Sequence, residues 1–140
     1  MAIRVLIADD SVSIRELLRW QMERVGYEVV GEAESATELV SLFRTLKPDV
    51  VTLDLVMPDK DEMDALTAFR IIRKEAPKVP IMVLSAVPFA KTRELFMDEG
   101  AFDYVVKPFG RNLTDALRKL ERAFPDLRPQ GLLGRVRKAY

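Results

Sequence analysis

Four short runs of β-branched and other apolar residues, at 3–8, 50–53, 79–84 and 104–106, are apolar almost without interruption instead of at every second position. A strand with one wet face alternates, whereas a strand covered on both faces reads as a continuous apolar run, the mark of a parallel sheet interior. A weaker fifth run lies at 27–30. Parallel neighbours cannot be joined by tight hairpins, so each pair needs a crossover, and the intervening segments have helical period. Ile14, Leu17, Leu18 and Val25 mark the first, Leu39, Leu42, Phe43 and Leu46 the second, and Leu66, Phe69 and Ile72 the third. Two more centre on Leu95 with Phe96 and on Leu113, Leu117 and Leu120. Ser11 and Ser35 stand where N-caps are expected, and Gly26, Pro48, Pro77 and Gly100 stand where helices should stop. Five alternations of strand and helix predict an α/β fold: a doubly wound, five-stranded parallel sheet with five helices on its two faces.

In such a sheet ligands gather at the carboxyl ends of the strands, near the point where the strand order reverses. The polar residues at those ends are Asp9 and Asp10 after the first run, Asp54 after the third, Ser85 after the fourth and Lys107 after the fifth. Three carboxylates at one edge repel one another unless a cation compensates them. The chain has no cysteine and no histidine, which excludes thiolate chemistry, imidazole acid–base catalysis and soft-metal sites. Oxygen-only ligands favour a hard ion, and Mg²⁺ suits a small open site. With the metal and Lys107 offsetting charge on a transferring phosphoryl group, one carboxylate can serve as the nucleophile. Ser85 can then hydrogen-bond a phosphoryl oxygen, and N–H groups near residues 55, 56 and 86 can hold others.

With 22 basic and 22 acidic side chains the formal charge is zero, so no global field draws the chain to nucleic acid or an anionic membrane. No apolar run approaches the roughly 20 residues of a spanning helix, and the expectation is a cytoplasmic protein without membrane insertion. A single domain over residues 1–124 is expected. Residues 125–140 read as a basic tail containing Pro125, Pro129, Gly131, Gly134, Arg128, Arg135, Arg137 and Lys138, either frayed or used as a linker or partner contact.

Asp9-Asp10-Ser11, Leu53-Asp54-Leu55-Val56-Met57-Pro58, Leu84-Ser85-Ala86 and Asp103-Tyr104-Val105-Val106-Lys107-Pro108-Phe109 occur in the order and near the spacing of response-regulator receiver domains. The likeness covers about residues 3–124 and is nearest to single-domain chemotaxis regulators and the receiver domains of chemotaxis methylesterases. It implies the flavodoxin-like strand order 2-1-3-4-5 and a signalling role in place of a separate catalytic activity. Asp54 would accept a phosphoryl group from a histidine kinase or phosphotransfer protein. Asp9, Asp10, Asp54 and the main-chain carbonyl of Val56 would bind Mg²⁺, and Lys107 would contact the phosphoryl group. Ser85 and Tyr104 match the family's switch pair, and Pro108 stands where the family has a cis peptide. The face built from the fourth helix, fifth strand and fifth helix would dock a downstream protein, with Lys91, Arg93, Glu94 and part of residues 111–119 exposed. A homodimer is compatible with this reading.

Two departures from the family pattern stand out. Glu62 occupies the position at which the family generally has a glycine with positive φ, so strain or another turn is expected there. Val56 and Val87, which would border the phosphoryl group, cannot orient an attacking water, and slow loss of phosphate follows. Among other classes, a haloacid-dehalogenase-like phosphatase needs an acid two residues after its nucleophile, where Val56 stands. A dinucleotide-binding domain needs a glycine-rich first turn, but this one reads Asp9-Asp10-Ser11-Val12-Ser13. A partner-binding pseudo-receiver unregulated by phosphorylation is the remaining alternative, opposed by the complete set of acids, serine and lysine.

Overall fold

The computed structural model describes residues 2–130. Among them, β1 (Arg4–Ala8), α1 (Val12–Arg24), β2 (Glu28–Ala33), α2 (Ala36–Leu46) and β3 (Val50–Leu53) alternate in the first half. The alternation continues through α3 (Ala65–Glu75), β4 (Ile81–Ser85), α4 (Ala90–Asp98), β5 (Asp103–Val106) and α5 (Arg111–Ala123). All neighbouring strands pair in parallel, in the order β2-β1-β3-β4-β5, as the resemblance implied.

Successive strand side chains enter opposite cores, which explains the continuous apolar runs. Leu6, Val51, Leu53, Ile81, Val83 and Tyr104 face the core covered by α2, α3 and α4. Val5, Ile7, Val50, Met82, Leu84 and Val105 face the core covered by α1 and α5. Full burial of each aliphatic side chain contributes on the order of 2 kcal/mol. Phe69 and Phe96 meet edge to face at 5.3 Å and join α3 to α4. Gly31 is a point of close approach, since an added Cβ would lie 2.6 Å from the Leu46 Cδ1 atom of α2.

Ser11 and Ser35 cap α1 and α2 as expected, accepting from the N–H groups of Ile14 and Glu38. Asp64 caps α3 through Thr67 N–H at 2.7 Å. The edge strand β2 runs farther than the apolar run at 27–30, reaching Gly31, Glu32 and Ala33, because ladder bonds to β1 continue where side-chain hydrophobicity stops. Conversely, Val79 and Pro80 precede β4. Arg73 donates to the carbonyl groups of Ala76, Val79 and Gly100 there, taking up main-chain acceptors that no strand neighbour uses.

Packing continues past residue 124. Pro125–Gln130 forms a 3₁₀ helix, Leu127 N–H donates to the Phe124 carbonyl, and the Leu127 side chain packs on the α1/α5 core. The rest of the expected tail, including Gly131, Gly134, Arg135, Arg137 and Lys138, lies outside the described residues. No helix among the described residues is long and apolar enough to cross a membrane.

Candidate functional site

Four strand ends deliver the polar residues to one edge of the sheet. Asp9 follows β1 and Asp54 follows β3, the two central neighbours, and the Asp54 N–H extends the ladder by donating to the Ala8 carbonyl at 2.9 Å. The strand order reverses at this pair, the position that the topology reserves for ligands. Ser85 ends β4, and Lys107 follows β5 with its N–H on the Ser85 carbonyl at 2.8 Å.

Carboxylate oxygens of Asp9, Asp10 and Asp54 all lie within 4.8 Å of one another. Asp9 and Asp54 are buried and Asp10 is exposed, so the cluster is sunk on one side and open to solvent on the other. Lys107 Nζ donates to Asp9 Oδ2 at 2.6 Å and lies 3.4 Å from Asp54 Oδ1. Asp9 Oδ1 is already held by the Ser11 N–H at 2.9 Å. Burial, followed by the neighbouring Asp9 charge, pushes the Asp54 carboxyl up to about 6; Lys107 and the Val56 N–H pull it partly back. One ammonium against three carboxylates leaves negative charge uncompensated, and an all-oxygen donor set of this size fits a hard divalent cation.

The expected switch residues meet through Val87. Ser85 is fully buried, and its Oγ accepts from the Val87 N–H at 3.0 Å. Tyr104 is turned into the core, 4% exposed, and its hydroxyl donates to the Val87 carbonyl. Val56 donates its N–H to Asp54 Oδ1 at 3.4 Å, and its side chain is 63% exposed at the rim. The Lys107–Pro108 peptide is cis, as the resemblance implied. Glu62 has φ +59°, so the glycine-like backbone is retained with a side chain on it.

The first helix differs from its sequence reading. Leu17 is 39% exposed, and the buried positions are Arg15, Leu18 and Met22. Arg15 stands where the apolar stripe should continue, with its guanidinium on the Asp9 carbonyl at 2.6 Å, Glu32 at 2.9 Å and Glu34 at 3.3 Å. A charged residue three and seven positions before buried apolar ones was the available signal. Asp59 was also missed; it accepts from Thr37 N–H at 2.7 Å and Thr37 Oγ1 at 2.9 Å, fastening the loop after Asp54 to the start of α2.

The chain is 38% identical over 123 residues to the chemotaxis protein CheY of Thermotoga maritima, covering 87% of this chain and 100% of that one. It is 40% identical over 109 residues to the protein-glutamate methylesterase/protein-glutamine glutaminase of Archaeoglobus fulgidus, covering 76% of this chain but 30% of the relative. Several transcriptional regulators that it matches are about twice as long as the matched part, which covers 50% to 56% of them. Among solved structures, a chain of the CheX-CheY-BeF3-Mg complex from Borrelia burgdorferi superposes with a TM-score of 0.74 at 26% identity, covering 87% of this chain and 89% of that one. The response regulator receiver domain profile matches residues 5–120, spanning every element from β1 to the last turn of α5. With the sheet order, the acidic cluster and these relatives in agreement, the chain belongs to the response regulator receiver domain family of two-component systems.

Proposed function

We propose that this chain is a phosphoacceptor in which Asp54 takes a phosphoryl group from a histidine kinase or phosphotransfer protein. The observation that carries the proposal is Lys107 Nζ seated between Asp9 Oδ2 and Asp54 Oδ1, inside a cluster of three carboxylates. Asp9, Asp10, Asp54 and the Val56 carbonyl would hold Mg²⁺, with Lys107 on the transferring oxygens. When bound, the ion neutralises the carboxylates and draws charge from the phosphoryl oxygens as they develop it. An Asp54 carboxylate oxygen forms the new bond to phosphorus. The bond from phosphorus to the donor nitrogen breaks, its electron pair leaving with the donor imidazole. Ser85 supplies a hydroxyl to one phosphoryl oxygen after giving up its Val87 contact.

Tyr104 and Ser85 hold opposite ends of Val87, so a phosphoryl group that draws Ser85 away also alters the anchor of the Tyr104 hydroxyl. This biases the face of α4, β5 and α5, where Lys91, Arg93, Glu94, Arg111, Asp115, Arg118 and Lys119 are exposed, toward a different population for a downstream protein. The Borrelia burgdorferi complex unites a CheY of similar fold with CheX, BeF3 and Mg, which supports this reading.

Mass spectrometry after incubation with acetyl phosphate and Mg²⁺ tests the acceptor: wild type gains one phosphoryl mass and Asp54→Asn gains none. An equal gain in both proteins removes Asp54 from the role. Val56 and Val87 make dephosphorylation slow, and Val56→Asn should lose phosphate faster than wild type in Mg²⁺ without phosphatase.

A further inference from the structure

We infer that Arg15 is a positioning residue for the metal-binding carboxylates, fixing the peptide between Asp9 and Asp10 against the edge strand β2. The inference rests on the proposed Mg²⁺ site and adds a residue outside it.

The Asp9 main chain is held on both sides. Its N–H donates to the Ala33 carbonyl at 3.0 Å, and its carbonyl accepts from Arg15 Nη1 at 2.6 Å. The peptide group is planar, so an Asp9 oxygen fixed in place also fixes the amide and Cα of Asp10. That constraint matters most for Asp10, whose side chain is exposed and lacks the packing that locates Asp9 and Asp54. Arg15 is itself 6% exposed and held by its own partners: Nε on Glu32 at 2.9 Å and Nη2 on Glu34 at 3.3 Å. Glu32 is held in turn by Arg19 at 2.6 Å and 3.1 Å. The guanidinium therefore works as a rigid three-way tie among the loop after β1, the end of β2 and the turn beyond it. A lysine has one charged point on a flexible stem and cannot hold the carbonyl and both carboxylates in that fork.

Residues one step removed from a metal commonly change its affinity by roughly 10- to 100-fold. Isothermal titration of the intact chain with MgCl2 should show Arg15→Lys binding Mg²⁺ about tenfold or more weakly than wild type. Glu32→Gln should shift affinity in the same direction by less, since Arg15 keeps Glu34. Arg44→Ala, which removes the exposed pair with Glu75, should leave the affinity unchanged. In acetyl phosphate labelling, the Mg²⁺ midpoint of Arg15→Lys should rise while the rate at saturating Mg²⁺ stays near wild type. Equal Mg²⁺ affinity in Arg15→Lys and wild type overturns the inference, as does a lowered plateau with an unmoved midpoint. Should Arg15→Lys not fold, Glu32→Gln decides: an unchanged affinity there is the overturning result. Absence of Mg²⁺ binding by wild type would instead remove the metal site itself, a separate failure.

Discussion

Two ionic clusters lie side by side at the carboxyl end of the sheet, and they are built on opposite principles. Around Lys107, three carboxylates meet one cation, and the Asp54 carboxyl is pushed up to about 6 by burial and by Asp9. Around Arg15, two guanidiniums meet Glu32 and Glu34, and Arg19 leads in pulling the Glu32 carboxyl below its usual value. The first cluster leaves three carboxylates crowded around one ammonium; in the second every carboxylate has a guanidinium against it, Glu32 and Glu34 on Arg15 and Glu23 and Glu32 on Arg19. A pocket proposed to bind a cation must resist collapsing into its own salt bridges, and the neighbouring cluster ties the loop after β1 to β2 through Arg15.

Removing the single cation of the unbalanced cluster should have the largest effect. Lys107→Ala leaves Asp9 buried with an unpaired charge, and breaking such a pair costs about 3 kcal/mol or more. Urea denaturation at neutral pH without divalent ions should show this loss, and added Mg²⁺ should restore a substantial part of it. A loss that Mg²⁺ does not touch would mean that Lys107 acts by packing and not by charge. Asp54→Asn should do the reverse in metal-free buffer, stabilising by on the order of 1–2 kcal/mol by removing one of the crowded charges, allowing for water at the open side. A lower unfolding midpoint for Asp54→Asn would show that its contact with Lys107 outweighs the repulsion.

The paired cluster should answer pH in the opposite sense from an overcrowded acid. Glu32 titrates lower in the folded chain than in the unfolded one, because Arg19 and Arg15 favour its ionised form. Its contribution is therefore present above the unfolded value near 4.5 and is lost as pH falls through the lower folded value. Glu32→Gln should destabilise by about 1.5 kcal/mol at pH 7, the scale of a hydrogen bond to a charged group. The gap to wild type should close in denaturation curves taken on the acid side of that window. A gap that persists unchanged into acid would assign the loss to shape instead of charge.

The same contrast explains what the sequence disclosed. Strands buried on both faces announce themselves through continuous apolar runs, and Asp9, Asp10, Asp54, Ser85 and Lys107 were placed by standing at the ends of those runs. The paired cluster was hidden because its members obey no periodic rule. Arg15 occupies a core position of α1, and Glu32 lies on an edge strand whose pairing continues beyond its apolar residues. Their partnership spans 17 residues of sequence and exists only once α1 packs on β2. Asp59 was obscured for a similar reason, since its acceptor role depends on where Thr37 arrives, 22 residues earlier in the chain. Tertiary placement, and not local preference, creates both contacts.

The smallest expected effect tests whether the loop after Asp54 draws its rigidity from such a tie. Glu62 holds φ +59°, with its N–H on the Asp59 carbonyl at 3.1 Å, and its side chain is exposed. A residue with a Cβ is strained in that region by roughly 1–2 kcal/mol, whereas glycine adopts it freely. Glycine also widens the unfolded ensemble, which takes back part of the gain. Glu62→Gly should therefore stabilise by only about 0.5 kcal/mol in denaturant midpoints, because Asp59 already pins the turn through Thr37 and the Asp61 N–H at 2.7 Å. The double variant Asp59→Ala with Glu62→Gly separates the two influences. If the Asp59 tie holds the turn, Glu62→Gly changes Mg²⁺ affinity little in the Asp59 background and more once that tie is gone. Equal effects in both backgrounds would show that the loop sets its own conformation without the Asp59 tie.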